Sequence, residues 1–286
     1  MQRSLQHPAK QLGLRMGACM IPDQRKRETK FPQGEDAFFL STKGRGFGVA
    51  DGVGGWSLKG IDSGALARSL MHTAQTYFDS QSLVDLNLAL EFAERESIQA
   101  GLMGTSTMCA ACLGEGNILH TTLVGDSGFV LLRRQNRRPD GTFLAGDWRP
   151  APPALYPWKV VYKSQEQQHS FNLPFQLGLN SRTTVKRHAM SMTLPLFSGD
   201  VVILGTDGLF DNVWLKELCH LLNSLPASEL ADASGLAHTL AHKAVEQSRL
   251  DEKRSPYSTL AARFGYDTAS TGGKQDDVTV VVGLID

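Results

Sequence analysis

The sequence predicts an α+β fold in which two antiparallel β-sheets pack face to face, each covered on its outer side by a pair of helices. Three observations support this prediction. Strand-like apolar runs follow one another through short turns, which is typical of antiparallel hairpins. Two helical segments follow the third strand, and two more precede the last strand. Strands and helices therefore do not alternate as they do in βαβ folds.

The first part of the chain alternates apolar and small or polar residues and then becomes helical. Polar residues separate two apolar runs and predict a hairpin. Leu66, Leu70 and Tyr77 recur at helical spacing, and Gly101 lies just beyond the end of a second helical pattern. The predicted elements are strands at 12–20, 37–40 and 46–50 and helices at 62–78 and 84–99.

The second part of the chain is rich in β-branched residues and contains turn segments at 114–117 and 125–128. Residues 134–158 are rich in Arg and then in Gly and Pro, so we expect an exposed insertion there. The predicted strands are 105–113, 118–124, 129–133, 160–163, 183–192, 200–205 and 278–284, and the predicted helices are 212–224 and 228–248.

The length of 286 residues suits one large domain. We expect an N-terminal extension at 1–14 and a single domain at 15–286. No apolar run approaches the about 18 residues that a membrane span needs. The 29 basic and 29 acidic residues give a net charge of zero, so charge does not predict a nucleic-acid partner. The oligomeric state is left open.

Cysteine usage and the N-terminal composition bear on the compartment. The four cysteines lie mostly in apolar surroundings, which favours free thiols in a reducing, intracellular compartment. Cys109 and Cys112 are three residues apart in a predicted strand, so they face opposite sides of a sheet and belong to the core. Residues 1–22 lack Asp and Glu, as targeting segments do, but 12–20 is a predicted strand. We therefore expect no cleaved presequence.

Four acidic segments place Asp or Glu among small residues beside predicted strands. They are Gly34-Glu35-Asp36-Ala37, Ala50-Asp51-Gly52, Thr206-Asp207-Gly208 and Gln275-Asp276-Asp277-Val278. Each segment alone could be an ordinary turn, since Asp and Gly are common turn residues. None of these acids has a matching Lys or Arg directly beside it. Because converging carboxylates repel one another unless cations neutralise them, the set predicts a metal site.

The ligand types indicate which metal and which reaction to expect. Oxygen ligands favour Mg²⁺ or Mn²⁺, because zinc prefers His and Cys and a calcium-binding loop has a regular Asp spacing that is absent here. Two such ions about 3.5–4 Å apart can share a carboxylate and activate a water for in-line attack on a phosphoryl group. The residues thus predict hydrolysis of a phosphate ester.

Six motifs extend this pattern along the chain. They are Gly-Glu-Asp-Ala at 34–37, Val-Ala-Asp-Gly-Val-Gly-Gly-Trp at 49–56, Gly-Thr-Ser-Thr at 104–107, Val-Gly-Asp-Ser at 124–127, Thr-Asp-Gly-Leu-Phe-Asp-Asn at 206–212 and Asp-Asp-Val-Thr-Val-Val at 276–281. In content and order they resemble the metal-dependent protein serine/threonine phosphatases of the PP2C (PPM) family. The resemblance covers roughly residues 15–286. Segments 16–22, 167–172, 255–257 and 272–274 resemble its PTC7-type branch.

The resemblance implies a four-layer αββα sandwich that hydrolyses phosphoserine and phosphothreonine in a phosphoprotein substrate. The attacking water would be activated by two Mn²⁺ or Mg²⁺ ions, with a third ion optional. It assigns catalytic roles to Asp51, Asp207 and Asp276, with Asp51 bridging the ions. The implied metal ligands are Glu35, Asp36, Asp51, the Gly52 carbonyl, Asp207 and Asp276. The branch implies a mitochondrial location, with the cytoplasm as the alternative.

Two other functions remain open at this point. A pseudophosphatase would keep the sandwich and act as a non-catalytic binding module, although the acids are intact. A small-molecule phosphoesterase would use the same site on another substrate.

The resemblance assigns Asp277 to orienting the last strand rather than to metal binding.

The chain departs from the family pattern at two positions. Many members carry an Arg a few residues before the first acidic pair to bind the substrate phosphate, whereas Lys30 and Arg27 are the nearest cations here. Lysine lacks the two-pronged guanidinium geometry. Many members also place a His two residues after the bridging Asp, where this chain has Val53. His169 is the candidate to replace that general acid, and Lys30 is the candidate phosphate-binding residue.

Overall fold

The computed structural model describes residues 11–41, 43, 45–81, 84–134, 157–266 and 272–286. The strands are β1 (Leu14–Ile21), β2 (Asp36–Leu40), β3 (Gly46–Asp51), β4 (Met108–Leu113), β5 (Ile118–Val124), β6 (Gly128–Arg134), β7 (Trp158–Lys163), β8 (Gln168–Ser170), β9 (Leu173–Pro174), β10 (Met190–Pro195), β11 (Val201–Gly205) and β12 (Val278–Ile285). The helices are α1 (Gly64–Ser80), α2 (Leu86–Gln99), α3 (Val185–His188), α4 (Asp207–Phe210), α5 (Leu215–Ser224), α6 (Ala227–Leu230), α7 (Ala233–Ser248) and α8 (Pro256–Arg263).

Two five-stranded sheets, paired antiparallel throughout, form the centre of the fold. One sheet has the order β1-β12-β11-β6-β7 and the other has the order β10-β5-β4-β3-β2. Strands β8 and β9 form a separate small hairpin. The predicted sandwich of antiparallel sheets is confirmed, as is the β2–β3 hairpin.

Hydrophobic clusters fill the spaces between four layers. Phe47, Leu131 and Val281 belong to the cluster between the two sheets. Leu70 lies in the cluster beneath α1 and α2, and Leu240 lies in the cluster beneath α5 and α7. Strand β12 is buried along its whole length, which explains why its sequence is an almost continuous apolar run rather than an alternating one.

Helix α7 approaches strand β1 so closely that one position accepts glycine alone. A Cβ atom at Gly17 would lie 2.2 Å from the backbone nitrogen of Ser234, far inside van der Waals contact. The glycine in the first strand therefore allows the helix to cover this sheet.

The cysteines lie where the sequence predicts. Cys109 packs in the cluster between the sheets, whereas Cys112 packs beneath α1 and α2, so the two side chains face opposite sides of β4. All four cysteines are free. Burial raises the pKa of the Cys109 and Cys112 thiols to about 12, which makes both of them unreactive core residues.

The predicted strand at 183–192 is wrong over its first half. Residues Val185–His188 form the short helix α3, and the strand β10 runs from Met190 to Pro195 beside β5. The backbone N–H of Val185 donates to the Glu94 carboxylate over 3.0 Å. This contact joins residues 91 positions apart in the chain, so no local pattern could reveal it.

The helices after β11 also differ from their predicted bounds. The segment 228–248 is divided into α6 and α7, because Asp232 caps the start of α7. The helix predicted from 212 begins at Leu215. Helix α8 was missed, although Ser255 followed by Pro256 is a typical helix start.

Part of the predicted insertion at 134–158 lies outside the described residues, which stop at 134 and resume at 157. Within the described residues, no helix combines the length and the apolar character needed to cross a membrane.

Candidate active site

The β2–β3 hairpin brings the first two acidic segments together. Strand β2 begins at Asp36 and strand β3 ends at Asp51, and the antiparallel register places these two residues opposite each other. The backbone N–H of Gly52 donates to the Glu35 carbonyl over 3.1 Å. Four candidate ligands, namely Glu35, Asp36, Asp51 and the Gly52 carbonyl, thus lie at one end of one sheet.

The other sheet supplies the remaining two segments. Asp207 starts α4 just after β11, Asp276 precedes β12, and these strands are neighbours. The Thr206 hydroxyl donates to Asp36 Oδ2 over 2.9 Å and so joins the two sheets at this edge. The acidic segments, far apart in sequence, therefore meet at one end of the sandwich. We call the group formed by Glu35, Asp36, Asp51, Asp126, Asp207, Asp211 and Asp276 the acid cluster.

Two members of the acid cluster were not assigned from the sequence. Asp126 lies in the turn between β5 and β6, and Asp211 follows α4. Asp207 and Asp211 both raise the pKa of Asp126 by their charge, after burial, which has the larger effect. Asp126 carries the same signature as the other acids, a carboxylate between small residues at a strand end, so the signal was available.

Asp277 connects the two sides of the site through hydrogen bonds. Its Oδ1 atom accepts from the backbone N–H of Asp23 over 2.7 Å, and its Oδ2 atom accepts from that of Glu35 over 2.6 Å. The side chain is almost completely buried. Asp277 thereby fixes the start of β12 against the segment that carries the first acidic pair.

Two lysines lie among these acids, contrary to the expectation that the carboxylates lack cationic partners. Lys26 pairs with Glu35, donates to Asp277 Oδ2 over 2.9 Å and lies 3.5 Å from Asp276 Oδ1. The expectation failed because Lys26 is 250 residues away from Asp276 in sequence and meets it only in the folded chain.

Lys274 reaches the acid cluster from the other side. Its Nζ atom pairs with Asp207 and lies 3.1 Å from Asp211 Oδ2 and 3.4 Å from Asp276 Oδ2. The Asn212 side chain accepts from the Lys274 N–H over 2.8 Å and donates to its carbonyl over 2.9 Å. Lys274 is therefore anchored by its backbone as well as by its ion pairs.

The two ammonium groups do not neutralise the acid cluster. Burial raises the pKa of Asp51 well above its usual range, and the charges of Asp36 and Asp207 raise it further. The pKa of Asp211 is raised to about 7 by burial, although Lys274 opposes the shift. These carboxylates still lack sufficient counter-charge with both lysines present.

The lysines themselves remain charged. Burial alone would lower the pKa of Lys274, but the neighbouring charges of Asp207, Asp211 and Asp276 raise it well above its usual value. The same balance of burial against carboxylates raises the pKa of Lys26. Excess negative charge and fixed ammonium groups thus coexist at this end of the sandwich.

The similarity of the chain to known proteins agrees with this geometry. Protein phosphatase 2C 80 of Arabidopsis thaliana, described as probable, is 34% identical over 280 residues, which are 96% of this chain and 59% of the plant protein. The protein phosphatase PTC7 homolog fig of Drosophila willistoni is 33% identical over 268 residues, which are 88% of this chain and 77% of the fly protein. This chain belongs to the protein phosphatase 2C family, in its PTC7-like branch.

Solved structures support the protein phosphatase 2C assignment. The photosystem II phosphatase PBCP is 30% identical and superposes with a TM-score of 0.77 over 96% of this chain and 99% of that chain. The catalytic domain of the phosphatase PstP, solved in complex with two manganese ions, is 18% identical and has a TM-score of 0.59 over 96% of this chain and 99% of that chain. No protein-family model matches the chain. The chain spans 59% and 42% of the length of two plant relatives.

The protein phosphatase 2C acids fit divalent cations by their chemistry. Among the described residues, no group of three or more His, Cys, Asp or Glu side chains is already arranged around one metal position. The ammonium groups of Lys26 and Lys274 lie between the carboxylates instead. However, Asp207 Oδ1 is buried without a hydrogen-bond partner. A carboxylate oxygen without a hydrogen-bond partner, beside other carboxylates that lack counter-charge, fits a cation that binds oxygen ligands.

The structure does not bring the two candidate substrate-binding residues to the acid cluster. Lys30 is exposed, and its ammonium lies 5.3 Å from the centre of the Phe31 ring. His169 is exposed on β8 and stacks on Phe175, with 4.2 Å between ring centres. Neither forms an ion pair or hydrogen bond with the cluster within the described ranges, whereas Lys26 pairs with Glu35.

Proposed function

We propose that this protein hydrolyses phosphoserine and phosphothreonine esters in protein substrates. The observation that carries the proposal is the Asp36–Asp51 pair on one sheet, hydrogen-bonded through Thr206 to the sheet end that carries Asp207 and Asp276. Membership of the protein phosphatase 2C family supports the substrate class. The intact acids give no support to a binding module without catalysis.

The residues proposed to hold two Mn²⁺ or Mg²⁺ ions supply oxygen atoms from both sheets. They are Glu35, Asp36, Asp51, the Gly52 carbonyl, Asp207 and Asp276, and Asp126 and Asp211 are the remaining carboxylates for a third ion. When bound, such ions supply positive charge to the phosphoryl group and lower the pKa of a water that attacks it. The manganese ions of PstP support this choice of cofactor.

Lys26 and Lys274 are the proposed phosphate-binding residues, in place of Lys30. Both ammonium groups are held at the acid cluster, and both keep their charge because surrounding carboxylates raise their pKa. Divalent ions at the acids would compete for the same carboxylate oxygens and leave the ammonium groups to donate to phosphate oxygens. Lysine gives point-charge recognition here rather than the paired hydrogen bonds of an arginine.

Substitution of Asp51 by Asn tests the proposal. With Mn²⁺ present, we expect the wild-type protein to hydrolyse a phosphothreonine peptide and the variant to lose at least about 100-fold in kcat/KM, since removal of even outer metal-site partners costs 10–100-fold. Calorimetric titration of Mn²⁺ should show the parallel loss of metal binding. Asp85→Asn is the matched control, because Asp85 caps α2 and Asn caps helices equally well.

The outcome has clear alternatives. Absence of phosphopeptide hydrolysis by the wild-type protein would overturn the enzymatic proposal, and equal rates for the wild-type protein and Asp51→Asn would overturn the role of Asp51. Faster hydrolysis of a sugar phosphate than of the phosphopeptide would overturn the substrate class. Activity that persists fully after removal of divalent ions with EDTA would overturn the cofactor assignment.

We infer an intracellular location and propose the mitochondrion, with the cytoplasm as the alternative. The four free cysteines support a reducing compartment, and the PTC7-like branch supports the mitochondrion. Immunofluorescence of the endogenous protein against mitochondrial and cytoplasmic markers separates the two. A secreted or surface location would contradict the inference.

A further inference from the structure

A cluster of aromatic side chains lies on the surface beside the acid cluster. We call it the aromatic surface and define it as Phe171, Tyr257, Phe264 and Tyr266. The ring of Phe171 lies 5.3 Å from that of Tyr257, 5.8 Å from that of Phe264 and 5.0 Å from that of Tyr266, measured between ring centres. Phe264 is 58% exposed and Tyr266 is 53% exposed. Grouped exposed aromatic rings mark binding surfaces, whereas single ones are common everywhere.

The aromatic surface is continuous with the acid cluster through Tyr257. The backbone N–H of Tyr257 donates to the Asp211 carbonyl over 3.0 Å. The Lys274 ammonium, which pairs with Asp207, lies 5.6 Å from the centre of the Tyr257 ring. Tyr257 therefore adjoins the ammonium group that pairs with the acids, and the ring of Phe171 lies next to that of Tyr257, 5.3 Å away between ring centres.

The framework beneath the aromatic surface is well anchored. Tyr257 lies in the first turn of α8, whose start is fixed by reciprocal hydrogen bonds between Ser255 and Ser258. The Ser255 hydroxyl also donates to the Gly272 carbonyl over 2.8 Å. Phe171 projects from the other side, in the turn between β8 and β9. The rings thus converge from two separate elements onto one surface.

We propose that the aromatic surface binds an aromatic or large aliphatic side chain of the phosphoprotein substrate, close in sequence to the phosphorylated residue. The proposal rests on the proposed phosphatase function and adds a sequence preference to it. An extended peptide advances about 3.3 Å per residue, so a side chain roughly two to four residues from the phosphorylated Ser or Thr reaches these rings. Aromatic side chains pack best there, in offset or edge-to-face contact.

A set of phosphothreonine peptides tests the preference. The peptides share an Ala/Ser/Gly background and carry one Phe at each position from four residues before to four residues after the phosphothreonine. We expect kcat/KM to rise about tenfold at one or two positions, which is the usual scale for one apolar side chain in a pocket. A double variant, Phe264→Ser with Tyr266→Ser, should remove that rise and hydrolyse para-nitrophenyl phosphate at the wild-type rate.

Phe197→Ser is the matched control. Phe197 is 55% exposed but precedes β11, at the end of that strand opposite Asp207, where its ring contacts Arg133. This variant removes a similar exposed ring and should keep the positional preference. Thermal unfolding of each variant verifies that it is folded.

The possible results separate this proposal from the phosphatase proposal. Hydrolysis of all peptides at equal rates by the wild-type protein would overturn the aromatic preference and leave the phosphatase function intact. Persistence of the positional preference in the double variant would likewise overturn the aromatic preference and leave the phosphatase function intact. If the wild-type protein hydrolyses no phosphopeptide at all, both proposals fail. A concentration-dependent dimer that the double variant abolishes would assign the surface to a second copy of the chain and overturn the proposal.

Discussion

Substitution of Asp277 by Ala measures how strongly this residue holds the two sides of the candidate active site together. The Asp277 carboxylate is 2% exposed and accepts hydrogen bonds from the backbone N–H groups of Asp23 and Glu35 and from the Lys26 ammonium. Both N–H groups belong to buried residues. The substitution leaves both donors without an acceptor.

Two opposing effects set the size of the change. Each buried donor left without a partner costs about 1–3 kcal/mol. Loss of the Asp277 charge relieves its repulsion of the Asp36 and Asp276 carboxylates. This repulsion is evident because the Asp277 charge raises the pKa of both groups. Bound Mn²⁺ would neutralise these acids and remove the relief. We therefore expect the free energy of unfolding to fall by about 3 kcal/mol with Mn²⁺ and by less in EDTA.

Urea unfolding with Mn²⁺ and with EDTA measures both values, and hydrogen exchange reports the amides of Asp23 and Glu35. The free energy of unfolding of Asp277→Asn should lie between those of the wild-type protein and Asp277→Ala, because the Asn amide oxygen can still accept one hydrogen bond. Unchanged stability in Mn²⁺, within about 0.5 kcal/mol, together with protected amides at both positions, would refute the reasoning.

Three further predictions follow from burial, close approach and ion pairing. The pKa of Asp211 in the folded protein is raised to about 7, so the metal-free protein should lose stability as the pH rises from about 4 to 7. This group contributes up to about 4 kcal/mol to the loss. Urea unfolding in EDTA that shows a gain in stability over this pH range would contradict the prediction. Gly52→Ala places a Cβ 2.1 Å from a neighbouring carbonyl oxygen and should destabilise the protein by about 1–3 kcal/mol in thermal unfolding, whereas Gly55→Ala, where a Cβ meets nothing within 4 Å, should not. Arg133→Met leaves the buried Asp200 carboxylate with the Phe197 N–H but without its cationic partner, and should cost about 3–5 kcal/mol in urea unfolding, much of which a second change, Asp200→Asn, should restore.

Much of the fold follows from patterns between residues that are close in sequence. The β2–β3 hairpin was predicted because two apolar runs flank a polar turn, and α1 was predicted because its apolar residues recur at helical spacing. The start of β10 was misplaced because residues 185–188 form the helix α3, whose first N–H donates to the distant Glu94 carboxylate. Local patterns thus fail where a distant side chain satisfies the backbone.

The acids of the candidate active site were visible in the sequence because each combines a carboxylate with small residues and a neighbouring strand. Asp126 was visible on the same grounds but was left unassigned. The cations were not visible. Nothing adjacent to Lys26 distinguishes it from Arg25 or Arg27, and only folding brings its ammonium to the acids.

The sequence alone determined the order of most strands and of the long helices, the segments that carry most of the carboxylates and the family to which they are similar, because hydrophobic period, turn chemistry and motif order are properties of nearby residues. The tertiary structure decided which charges meet. Asp277 meets Glu35 across 242 residues and Lys26 across 251 residues, and these contacts depend on the packing of two whole sheets. Electrostatic energy depends on distance in space, so the lysines within the acid cluster and the aromatic rings beside it are visible only in the folded protein.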